Sequence, residues 1–197
     1  MTALQKIVHT AVRLRLLINP GYYRQYLKRQ GVRIGENSVV IFPGYIDGRL
    51  PYLLEIGNNV IVSRMVTILT HDAATAYAGD LIKVGRVAIH DHCFIGANAT
   101  ILCNVQIGPD SIVGAGSVVT RDIPAGEIWG GNPARFICRT KEYISRQQAL
   151  AQTKAVMEGG SFMDPYAPED NKRLLKDRLG ETFIYFCARL PDNRRSE

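Results

Sequence analysis

The chain has 197 residues, 46% hydrophobic and 21% charged, which suits one compact domain with a small appendage and excludes wholesale disorder, a collagen-like fibre and a disulfide-dense mini-protein. The formal charge is +6, so anionic partners are admitted. The Lys and Arg residues are scattered, with clusters near both ends, and form no nucleic-acid motif, so no nucleic-acid partner is expected.

Residues 1–33 read as a basic amphipathic helical segment. Leu4, Ile7, Val8, Ala11, Val12 and Leu16 fall at helical spacing among Lys6, Arg13, Arg24, Lys28 and Arg29, with an interruption near Pro20. A helix packed on the end of the next domain is favoured over a peripheral membrane anchor. The apolar run Leu14 to Ile18 is broken by Arg15 and followed by Asn19-Pro20-Gly21, so neither a signal peptide nor a membrane span is expected, and a cytoplasmic location follows. Cys93, Cys103, Cys138 and Cys187 include no C-x-x-C pair, which points to free thiols and away from structural zinc.

From residue 34 to 138 the chain repeats with a period of six. Ile89, Ile95, Ile101, Ile107, Val113 and Val119 follow one another without a miss, and four places after each stands Cys93, Ala99, Val105, Ser111, Ser117 and Ile123. The register holds earlier at Ile34, Val40, Ile56, Val62 and Ile68. Neither a helix nor an ordinary strand has that period, whereas a coil of three short strands and three turns does, with the aliphatic residue pointing into a triangular prism. Glycine and other small residues are expected to serve the corners. The pattern breaks between Val40 and Ile56, a spacing of sixteen, where Pro43-Gly44 and Asp47-Gly48 supply turn chemistry. It breaks again between Ile68 and Ile89, a spacing of twenty-one that reads as one coil of eighteen plus three, with residues 73–86 leaving as a loop. Loops thrown from rigid repeats favour binding and catalysis. Residues 139–197 form a C-terminal extension, with a helix over 141–158 and another within 168–190 that precedes the apolar run Phe183 to Phe186.

The segment IHDHCFIGANATILCNVQIGPDSIVGAGSVVTRDIPAGEIWGGNPAR, Ile89 to Arg135, resembles the hexapeptide-repeat acyltransferases, most closely the galactoside, maltose and nodulation-factor O-acetyltransferase branch. The resemblance covers roughly Ile34 to Thr140. It implies a mainly β fold, a left-handed parallel β-helix flanked by N- and C-terminal helices, assembled as a homotrimer with acetyl-CoA between adjacent prisms. It further implies a catalytic histidine just before the excursion loop, which matches His71 in Thr70-His71-Asp72. The backbone N–H of Ala97 matches the oxyanion donor, although Phe94 stands where relatives often carry Trp. Ala97 and Ala115 match the acetyl-CoA arm, Thr120 and Arg121 the adenine end, and Arg135 or Arg139 the 3′-phosphate, where a guanidinium suits phosphate oxygens.

Such a base is what the chemistry needs, because a hydroxyl is a poor nucleophile at neutral pH. In repeat register His71 and His92 both stand fourth in their unit, which would let them stack one strand spacing, about 4.8 Å, apart, but His92 is better read as a satisfied or supporting histidine. Related β-helical carbonic anhydrases hold zinc with three histidines, but the spacing of His71, His90 and His92 does not resemble theirs, and no metal is expected. Asp47 is read either as an acceptor contact or as a turn residue. Trp129 is expected to pack at the end of the prism. The activity expected is transfer of acetyl from acetyl-CoA to a hydroxyl of a saccharide or polysaccharide precursor. The alternatives are N-acetylation of a nucleotide-linked amino sugar, O-acetylation of serine and, remotely, a carbonic-anhydrase-like enzyme or a non-catalytic scaffold.

Overall fold

The computed structural model describes residues 20–77, 79–154, 156–158, 168–179, 183 and 185–187. The chain divides into two compact units, residues 1–140 and 141–197.

The first unit opens with helix α1 (Pro20–Arg29), whose Tyr23 and Leu27 are buried among Val32, Ile34 and Val40 at the N-terminal end of the prism. Tyr23 meets the Phe42 ring edge-on at 5.3 Å, and burial followed by the neighbouring Tyr26 pushes its phenol up to about 12. The earlier residues of the expected N-terminal helix, 2–19, lie outside the described residues.

Four coils follow, each contributing one short strand to each of three parallel faces, in a left-handed β-helix. The first face holds β1 (Arg33–Ile34), β4 (Leu54–Ile56), β9 (Val87–Ile89) and β12 (Val105–Ile107). The second holds β2 (Val39–Val40), β5 (Ile61–Val62), β10 (Phe94–Ile95) and β13 (Ile112–Val113), extended by β15 (Glu127–Gly130) and the antiparallel β16 (Arg135–Arg139). The third holds β3 (Tyr45–Ile46), β6 (Thr67–Ile68), β11 (Thr100–Ile101) and β14 (Val118–Val119). Ile89, Ile95, Ile101, Ile107, Val113 and Val119 are each at most 2% exposed, and the positions four residues after each are also buried. The period of six therefore builds two inward ladders.

The two breaks leave the prism at the same edge, between the third and first faces. Partners in the last two coils are eighteen residues apart (Val87 with Val105, Thr100 with Val118), whereas Tyr45 pairs with Thr67 and Thr67 with Thr100. The inserts are thus four and fifteen residues. This corrects the reading of the second spacing: Ile68 to Ile89 is one step of six plus fifteen inserted residues, not a coil plus three. The first insert carries a 3-10 turn at Pro51–Leu53. The second carries β7 (His71–Asp72), a 3-10 turn at Ala74–Tyr77 and β8 (Lys83–Val84), paired antiparallel with β7.

The small corner residues have a different cause from the one expected. Left-handed φ values belong mostly to Asn37, Asn59, Met65, His92, Asn98, Asn104 and Asp110, while Gly57 and Gly96 are needed because coils approach closely. A Cβ at Gly96 would lie 2.5 Å from the Ala115 nitrogen. Buried serines complete the corners: the Ser38 hydroxyl donates to Gly57 O at 2.6 Å and accepts the Val60 N–H at 3.0 Å. Ser38→Ala leaves that fully buried N–H without an acceptor and is expected to cost about 1–3 kcal/mol, read as a lowered denaturation midpoint at unchanged m-value.

The second unit holds α2, which begins at the boundary (Thr140–Thr153), β17 (Val156–Glu158), α3 (Glu169–Leu179) and β18 (Tyr185–Cys187), with β17 and β18 paired in parallel. The first expected helix is shorter than predicted and gives way to β17; the second ends at Leu179, before β18.

Candidate active site

The polar cluster of the inserted edge is built around Asp47, which directly follows β3 and is fully buried. Its Oδ2 accepts the Thr70 N–H at 3.1 Å, the Thr70 hydroxyl at 2.7 Å and a hydrogen bond from His71 Nδ1, while Oδ1 accepts the Arg49 N–H at 3.1 Å. Burial on its own would raise this carboxyl. The hydrogen bonds from the Thr70 hydroxyl, Arg49 N–H, His71 and Thr70 N–H outweigh it and hold the group at about 2. An ionised carboxylate can only accept, so Nδ1 of His71 carries the proton and Nε2 keeps its lone pair. The imidazole is 20% exposed, enough for a reacting group to reach it.

Asp47 is thus neither of the two things expected of it alone. It closes the turn through Arg49, and it also orients His71 from behind, too deeply buried to touch an acceptor. The stacking of His71 on His92 that the register would allow does not occur. His92 lies at the edge between the first and second faces, where its N–H donates to Asn58 O at 2.9 Å and its Nδ1 stands 3.4 Å from Asp110. The fifteen-residue insert shifted the register that suggested the stack. Among the described residues, no three His, Cys, Asp or Glu side chains of one chain could hold a metal ion.

The residues matched to the cofactor separate into three places. Ala97 and Ala115 are exposed and stacked on the edge between the second and third faces, where Ala97 O accepts the Gly116 N–H at 2.8 Å. Thr120 and Arg121 are exposed on the inserted edge, two coils beyond Thr70 and His71. Arg135 and Arg139 bound β16. Arg139 is already engaged: Nη1 is 3.0 Å from Glu127, whose other oxygen accepts Trp129 Nε1 at 2.8 Å. Trp129 is partly buried against the core beyond the last coil. Arg121 forms no ion pair among the described residues. On the cofactor placement that the resemblance implies, Arg121→Ala is expected to raise the KM for acetyl-CoA with kcat at saturation nearly intact, whereas Arg139→Ala should in addition lower Tm by unpairing a largely buried Glu127. Steady-state kinetics beside a thermal melt checks both.

A whole face of the prism separates His71 from Ala97. A groove of about 570 Å³, lined by residues including Lys28, Glu55, His90 and Asp91, runs along the first face. Asp91 there is occupied, accepting the Asn58 N–H at 2.8 Å and its amide at 3.2 Å, which lower its carboxyl.

The family model for bacterial transferase hexapeptide (six repeats) matches residues 86–121. The chain is 34% identical over 130 residues to "Putative acetyltransferase YvoF" of Bacillus subtilis, spanning 66% of this chain and 72% of that protein. It is 30% identical over 152 residues to the mitochondrial gamma carbonic anhydrase 2 of Arabidopsis thaliana, spanning 66% of this chain and 55% of that one. Among solved structures, the hexapeptide-repeat acetyltransferase VCA0836 of Vibrio cholerae has the same fold, with TM-score 0.55 and 21% identity over 66% of this chain and 88% of that one. A further structure of VCA0836 is a complex with acetyl-CoA. The chain belongs to the hexapeptide-repeat transferases.

Proposed function

We propose that the protein is an acetyl-CoA-dependent O-acetyltransferase acting on a hydroxyl of a saccharide or polysaccharide precursor, with His71 as general base. The Asp47–His71 pair carries this reading: a buried carboxylate fixes the tautomer whose free Nε2 can accept a hydroxyl proton. As the oxygen attacks the thioester carbon, the proton passes to Nε2 and the ionised Asp47 steadies the imidazolium. The Ala97 N–H of a neighbouring copy stabilises the tetrahedral oxyanion. The C–S bond then breaks, and the imidazolium returns its proton to the departing thiolate.

The assembly proposed is a homotrimer, because the two half-sites of one chain lie a face apart and meet only between copies. Val39 and Phe94 on the second face are 43% and 40% exposed, and the excursion loop presents Tyr77, Leu81 and Ile82, all more than half exposed. A neighbouring prism would cover such surface.

The plant relative favours hydration as a second reading. CoA-thiol release from acetyl-CoA that depends on an added hydroxyl compound decides between them. Stoichiometric zinc with carbon dioxide hydration and no thiol release would select the second. Sedimentation tests the trimer: an active monomer at micromolar concentration would reject the shared site.

A further inference from the structure

Resting on the two-copy acetyltransferase site proposed above, we infer that the acceptor carries an acidic group, a carboxylate or phosphate, read by Arg49 of one copy and Arg64 of the next. The order of the coils gives the direction. His71 leaves the prism after the second coil, whereas Ala97, Ala115, Thr120 and Arg121 stand in the third and fourth. A thioester held along those residues reaches His71 from the C-terminal side. The N-terminal side is left for the acceptor.

Arginine stands on both edges of that side. On the inserted edge Arg49 lies one coil before His71, its N–H bound to the carboxylate that holds the imidazole. On the facing edge Arg64 lies directly before Ala97, its carbonyl accepting the Asn98 N–H at 3.0 Å. Both side chains are exposed, and neither forms an ion pair among the described residues. Arg86 adds a third cation beside Gly85, whose N–H binds Thr70 O at 2.9 Å.

The acids of these segments do not balance them. Asp47 is buried and accepts four hydrogen bonds. Asp72 Oδ1 accepts the Ala74 N–H at 2.8 Å and lies opposite Lys83 in the β7–β8 pair, leaving Asp80 in the bend of the loop. The stretches Ile41–Gly44, Ser63–Met65 and Gly96–Asn98 of the facing edge contain no acid. Two guanidiniums converging from opposite walls favour a planar or tetrahedral oxyanion over a neutral hydroxyl, and they attract it before contact.

The test uses acceptors that differ only in charge: glucuronic acid against its methyl ester, and glycerol 3-phosphate against glycerol, scored by CoA-thiol release. At least one acid is expected to exceed its neutral twin in kcat/KM by about tenfold or more, and which acid does so separates carboxylate from phosphate. Arg49→Ala and Arg64→Ala should each erase most of that ratio while leaving the KM for acetyl-CoA unchanged, with Arg→Lys restoring part of it. Co-expressing the two alanine variants should restore about a quarter of the sites by random assortment, because an intact site then draws on two chains. Calorimetric titration of acetyl-CoA separates the failures. Cofactor binding without any acid preference overturns the acidic acceptor and leaves the transferase standing, whereas no cofactor binding overturns both.

Discussion

His71→Ala is expected to lower kcat by about 10²- to 10⁴-fold, the usual cost of losing a general base, without unfolding the protein or weakening acetyl-CoA binding. The fold does not depend on this side chain: His71 opens the excursion, and the inward ladders run through other residues. His92→Ala is the matched control, because it lies at another edge, where its Nδ1 faces the exposed Asp110. Equal turnover of wild type and His71→Ala with a working acceptor would remove the base from the mechanism. A larger loss at His92 would move the base away from the inserted edge.

Asp47→Ala is expected to cost about 3–5 kcal/mol of stability together with most of the activity, because it strips the acceptor from four donors around a fully buried site. Asp47→Asn tests catalysis in a folded protein. One amide oxygen can still meet Thr70 and His71, but its NH₂ must then oppose the Arg49 N–H, and the charge that steadies the imidazolium is gone. A roughly ten- to hundredfold fall in kcat with unchanged KM for acetyl-CoA is expected. The wild type should also lose stability in acid in a defined window. The folded carboxyl, at about 2, lies below its ordinary 3.8, so its contribution is complete above the ordinary value and is lost as pH falls towards 2. That contribution is about 2 kcal/mol, and Asp47→Asn should flatten this part of the stability profile.

The sixfold spacing of Ile89 through Val119 determined the prism by itself. Each aliphatic residue repeats the same local geometry, and three steps of six close a coil whatever the rest of the chain does. The resemblance singled out His71, which stands where the spacing fails and a loop begins. The role of Asp47 was not, because its partner lies twenty-four residues away and meets it only when two inserts leave the prism at the same edge. The supposed stack of His71 on His92 failed for the converse reason: counting in sixes is blind to how many inserted residues a loop absorbs. The resemblance matched Arg139 to the 3′-phosphate, but its ion pair with Glu127 was not legible in sequence, because it depends on the antiparallel return of β16 onto β15. Local period thus sets the coil, while the pairing of polar groups between coils depends on insert length and edge, which only the tertiary structure decided.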